Sequence, residues 1–88
     1  TMGEIDIVAR RGGLVAFIEV KARRTMTEAA ESLGERQRQR ISRAASAFLQ
    51  KEPILQGLDQ RYDVMLLAPW RPPRHIIGAW REWRSAAQ

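Results

Sequence analysis

Glu4-Ile5-Asp6-Ile7-Val8-Ala9-Arg10-Arg11-Gly12-Gly13-Leu14-Val15-Ala16-Phe17-Ile18-Glu19-Val20-Lys21 is the stretch that decides how this chain folds. Over residues 4–10, Ile5, Ile7 and Ala9 fall on one side and Glu4, Asp6, Val8 and Arg10 on the other, which is the period of a strand. Residues 14–21 are rich in β-branched and aromatic side chains and read as a second strand. Gly12-Gly13 supplies a two-residue turn that tolerates positive φ at both positions, so the pair is predicted to form a hairpin. With that turn Arg11 pairs with Leu14, and counting outward sets Asp6 opposite Glu19 and Glu4 opposite Lys21. Alternate strand residues share a face, so these four side chains converge. A longer loop would shift the pairing by a residue or two and still leave the carboxylates close.

Downstream, residues 28–50 read as one long helix, with Thr27 as its cap and Glu28 in its first turn. Gly34 is a candidate break that would leave residues 28–33 as a separate turn or lid-like loop. Leu33, Gln37, Ile41, Ala44, Ala45 and Phe48 share a face at about 100° per residue, and Arg36, Arg40 and Arg43 share another. Pro53 ends the helix. Residues 61–67 form an unbroken run suited to a buried, central strand. Pro69, Pro72 and Pro73 mark a loop. His75 to Ile77 then suits a short fourth strand, and residues 79–87 a terminal helix carrying Trp80 and Trp83. This order predicts an α/β domain: a mixed sheet with an N-terminal hairpin, a long crossover helix and a buried third strand. Three or four strands with one good helix leave a sheet face bare. Residues 1–88 are therefore expected to be a single domain lacking its first helix and strand.

Composition narrows the chemistry. A chain of 88 residues supports one domain with one small core. It has no cysteine, which excludes disulfides, thiolate nucleophiles and Cys-ligated zinc, and its single histidine, His75, excludes a His-rich metal cluster. No apolar run is long enough to span a membrane, and the N-terminus lacks the layout of a signal peptide, so a cytoplasmic location is expected. Thirteen arginines and two lysines give a net charge of +5. The guanidinium fork suits phosphate, although such a surface also serves simple solubility.

Two carboxylates directly opposite one another repel and destabilise a sheet. A divalent cation with oxygen ligands would compensate, and Mg²⁺ commonly takes one or two carboxylates plus waters and phosphate oxygens. Lys21, one strand step from Glu19, could stabilise charge on an attacking water or a phosphoryl oxygen. The bland alternative is that Lys21 makes ordinary surface pairs on the wet face of a hairpin.

Gly3-Glu4-Ile5-Asp6-Ile7-Val8-Ala9 followed by Phe17-Ile18-Glu19-Val20-Lys21-Ala22-Arg23 resembles the YraN family of small bacterial proteins. Arg61-Tyr62-Asp63-Val64 and His75-Ile76-Ile77-Gly78-Ala79-Trp80 are similar to two further family stretches. That family looks like a branch of the restriction-endonuclease-like superfamily with the PD-(D/E)XK site, to which archaeal Holliday junction resolvases also belong. The resemblance implies Asp6 and Glu19 as metal ligands with the Val20 carbonyl, Lys21 as the catalytic lysine, and Mg²⁺ or Mn²⁺ as cofactor. It also implies an N-terminal helix and strand ahead of residue 1. Where family members usually carry a lysine in the long helix, this chain has Gln37, which can hydrogen-bond a carboxylate or water but brings no charge. Arg23, Arg24, Arg36, Arg40 and Arg43 are the candidates for contact with a DNA backbone. Asp63 and His75 fit structural roles better than a metal or general-base role.

Three functions remain open at this point. The first is a metal-dependent endonuclease acting on DNA, including branched or nicked DNA. The others are a non-catalytic DNA-binding module and a scaffold protein. An exposed sheet edge adds the expectation of a homodimer.

Overall fold

The structure, a computed structural model, describes residues 5–80. It is a four-stranded mixed sheet with helices between its second and third strands. The elements are β1 (Ile7–Arg11), β2 (Leu14–Ala22), α1 (Met26–Glu31), α2 (Glu35–Gln50), a single 3-10 turn (Pro53–Leu55), β3 (Asp59–Leu67) and β4 (Arg74–Trp80). The sheet order is β1-β2-β3-β4. The hairpin has the register that Gly12-Gly13 predicts, with Arg11 opposite Leu14 and Ile7 opposite Ile18. Gly12 takes φ 58°, which only glycine adopts without strain. β2 and β3 run parallel, joined by the helical crossover, and β3 is an interior strand as its apolar run requires.

The break expected at Gly34 is present: residues 32–34 (Ser-Leu-Gly) divide the helical region into two. Three expectations need correction. The piece ahead of the break is a helix from Met26 and not a turn or loop, and its cap is Thr25, whose Oγ1 accepts from the Glu28 N–H at 3.0 Å, and not Thr27. The fourth strand runs on to Trp80, so Ala79 and Trp80 belong to the sheet; the rest of the expected terminal helix, residues 81–87, lies outside the described residues. Finally, Glu19 and Lys21 do not lie on a wet face. They share a face of β2 with Val15 and Phe17, and that face is covered by the helices.

The core explains why. Ile41 and Ala45 of α2 pack on Val15 and Phe17 of β2 and Tyr62 of β3. Ala29 of α1 packs on Val64 and Leu66 of β3. Phe17 meets Phe48 edge-on at 6.2 Å, and Tyr62 stacks on Trp80 at 5.1 Å. Each fully buried side chain of this size contributes about 1.5–3 kcal/mol, enough to fix which face of β2 turns inward. Glu19 and Lys21, at the C-terminal end of that face, are buried with it.

A second polar cluster lies on the opposite face. Asp63, fully buried, accepts from Arg61 Nε and Nη2 at 2.9 Å each and from the Gly78 N–H at 2.9 Å, and pairs with His75 Nε2 at 2.9 Å. The β3–β4 register shifts here: Val64 faces Ile76 but Tyr62 faces Trp80. The Asp63 carboxylate satisfies the Gly78 N–H within that bulge, where Gly78 has φ 64°. Asp63 is therefore a structural acceptor that holds β4 in place.

Candidate functional site

β2 positions the central pair. Glu19 is 4% exposed and Lys21 7% exposed, and Lys21 Nζ lies 3.1 Å from Glu19 Oε2. Arg40 of α2 reaches the same oxygen, with Nη2 at 3.2 Å. Two cations thus neutralise one buried carboxylate oxygen. The direct Asp6–Glu19 pairing expected from the hairpin register is not formed, because the ladder stops at Ile7 opposite Ile18. Glu19 Oε1 is different. It is buried with no hydrogen-bond partner, and it is the only charged group among the described residues left so; the others are Ser42 Oγ and Trp80 Nε1. Leaving a buried carboxylate oxygen without a partner is costly, which makes Glu19 Oε1 a fitting ligand for a cation.

Asp6 sits at the bend before β1, exposed, and its Oδ2 accepts from the Val20 N–H at 2.8 Å. The carboxylate thus serves as acceptor beside Val20 where β1 has left the ladder. The N–H and C=O of a strand residue leave along the same edge, so the Val20 carbonyl is directed toward Asp6 as well. Asp6, Glu19 and Val20 are therefore brought to one strand end. Oxygen donors of this kind fit a hard divalent cation. Among the described residues no three His, Cys, Asp or Glu side chains group to hold a metal. Glu4 falls outside the described residues.

Gln37 does not meet the carboxylates directly. Its Oε1 accepts from Arg40 Nε at 3.0 Å, and so it steers the guanidinium toward Glu19. Arg40, three residues on, brings a positive charge to Glu19. Arg40 is half-buried and turned inward, whereas Arg36 and Arg43 stay exposed. The spacing of Gln37 and Arg40, three residues apart on a helix, was the signal for this pair, and the length of the arginine side chain hid its destination.

Arg23 and Arg24 follow Lys21 at the strand end and are exposed. Arg23 is tied to the sheet through its N–H to the Leu67 carbonyl, at 3.0 Å. Both line an open, mainly apolar crevice of about 590 Å³, with Ala22, Glu28, Leu67, Ala68 and Pro69. Sequence reasoning did not anticipate this crevice, because its two walls come from the ends of β2 and β3. No helix among the described residues is long and apolar enough to cross a membrane.

Comparison with known proteins agrees with the resemblance. The chain is 61% identical to a UPF0102 protein of Paramagnetospirillum magneticum over 79 residues, covering 90% of this chain and 61% of that protein. A relative in Nitrobacter winogradskyi is 53% identical, over 88% of this chain and 65% of its own length. One in Maricaulis maris is 54% identical, over 96% and 66%. The chain thus spans about two thirds or less of the length of these relatives. The family model described as "Uncharacterised protein family UPF0102" matches residues 1–67, across the hairpin, both helices and β3, and the chain belongs to that family.

Proposed function

We propose that this chain forms the core of a divalent-metal-dependent endonuclease acting on DNA. The observation that carries the reading is Glu19: a buried carboxylate with one oxygen doubly paired to cations and the other bare. A purely structural ion pair would satisfy both oxygens. In this reading Glu19 Oε1, the Asp6 carboxylate and the Val20 carbonyl hold Mg²⁺ or Mn²⁺. The bound cation supplies Lewis-acid stabilisation of charge on the phosphoryl group. Lys21, fixed by Glu19, presents its ammonium to the attacking water and the phosphoryl oxygens. Arg40 holds Glu19 in place from the helix side, with Gln37 orienting it. Arg23 and Arg24, at the end of the same strand, grip the flanking phosphates.

The retention of two internal cations on Glu19 favours one second reading, a DNA-binding module in which the acids serve structure alone. Single-turnover cleavage of a branched DNA with Mn²⁺, and binding in Ca²⁺, separate the two. Lys21→Ala is expected to cut roughly 10²–10³-fold more slowly while binding within about threefold of wild type, because its contact forms mostly in the transition state. A full-length wild type that binds DNA and cleaves none would leave the binding module standing.

A further inference from the structure

Trp70 is held in a conformation the fold does not need. The Arg71 N–H reaches the Ala68 carbonyl at 3.3 Å, closing a four-residue turn between β3 and β4. Pro69 occupies the second position of that turn and Trp70 the third, with φ 65°. This is the pattern of a type II turn, whose third position calls for glycine. A bulky side chain there is strained. No burial offsets the strain, since Trp70 is 101% exposed. A large aromatic both strained and bare of packing has no role in stability.

Its surroundings suggest what it meets. Ala68 and Pro69 of the same turn form one wall of the crevice lined by Arg23 and Arg24. Arg71 and Arg74, both exposed, follow on the other side. The turn begins just past Leu67, which pairs with Ala22, so it stands at the end of the sheet where Lys21 lies. An exposed ring beside a mainly apolar crevice lined by Arg23, Arg24 and one acid, Glu28, with Arg71 and Arg74 following in the chain, suits an unpaired nucleobase: the base stacks on the indole and the arginines take the flanking phosphates.

We infer that Trp70 is a stacking platform for an unpaired nucleotide of DNA held at this strand end. The inference rests on the proposed reading only for the identity of the ligand as DNA, and it does not require cleavage. Unpaired bases are what distinguish a branched or single-stranded DNA from a closed duplex, so Trp70 would set the structural preference of the site.

The test is binding of a labelled single-stranded oligonucleotide and of a blunt duplex by the full-length protein, in Ca²⁺, across a salt series. The variants are Trp70→Ala, Trp70→Phe and Trp70→Gly. Loss of the ring is expected to weaken single-strand binding roughly 5- to 100-fold, as loss of a base–aromatic stack does. Duplex binding should be unchanged, and so should the salt slope, because no charge is removed. Trp70→Phe should keep most of the affinity. Trp70→Gly should melt at a higher temperature than wild type, since it relieves the turn. Equal single-strand affinity in wild type and Trp70→Ala would overturn the inference and leave the ring as a contact for a protein. So would parallel loss of both DNAs, or a lower melting temperature for Trp70→Gly. Absence of cleavage with the single-strand effect intact would count against the nuclease reading alone.

Discussion

Replacing Asp63 with asparagine is expected to destabilise the protein strongly, with an effect that depends on pH. Asp63 is fully buried and takes two hydrogen bonds from Arg61, one from Gly78 and one contact with His75. Breaking a buried ion pair costs about 3–5 kcal/mol. Arg61 is 33% exposed and can turn partly to water, so about 2–3 kcal/mol is the better figure here. A domain of this size has a stability of about 4–13 kcal/mol. The loss should lower the melting temperature by about 10–20 °C. Burial alone would raise the Asp63 pKa, but the hydrogen bonds from Arg61, Gly78 and His75 outweigh it and hold the carboxyl below its ordinary 3.8. A depressed folded pKa contributes stability that is complete above the unfolded value and is lost as pH falls through the folded one. The gap between wild type and Asp63→Asn should therefore narrow as pH falls below 3.8. Urea unfolding followed by circular dichroism measures it, with His75→Ala as the control for the imidazole. A gap under about 1 kcal/mol, the ordinary effect of a substitution, would refute the clamp. So would a gap that does not change on acidification.

Other consequences follow from the packing and the site. Ile41→Ala, which empties a fully buried position between α2 and the sheet, should cost about 3 kcal/mol in the same unfolding assay. Arg40→Gln should cost only about 1 kcal/mol, because the Arg40 side chain is 30% exposed. By removing one of the two cations on Glu19 Oε2, with Lys21 left as the other, it should also tighten Mn²⁺ binding, measured by calorimetry.

The hairpin was the most legible part of the fold, because a glycine pair fixes both turn and register, and every later inference about Asp6, Glu19 and Lys21 hangs on that register. The interior position of β3 was legible for a similar reason, an apolar run too long for a wet strand. The capping of α1 was not, since Thr25 and Thr27 are equally good caps and only the chain path chooses between them. β4 was cut short because Gly78 and the bulge break its alternation. Burial of the Glu19–Lys21 pair was equally hidden: alternation places both on one face but does not say which face the helices cover. Arg61 and Asp63, two apart on a strand, were a readable pair, whereas the part played by His75 depended on where β4 docks.

The central claim is that Glu19 and Asp6 share a divalent cation, and amide resonances of the full-length protein test it most directly. Titration with Mg²⁺, followed by trace Mn²⁺ for paramagnetic broadening, should perturb residues 6–8 and 18–22 first. Glu19→Gln should abolish the response while leaving the rest of the spectrum in place. No response at millimolar metal, or the same response in Glu19→Gln, would contradict the account.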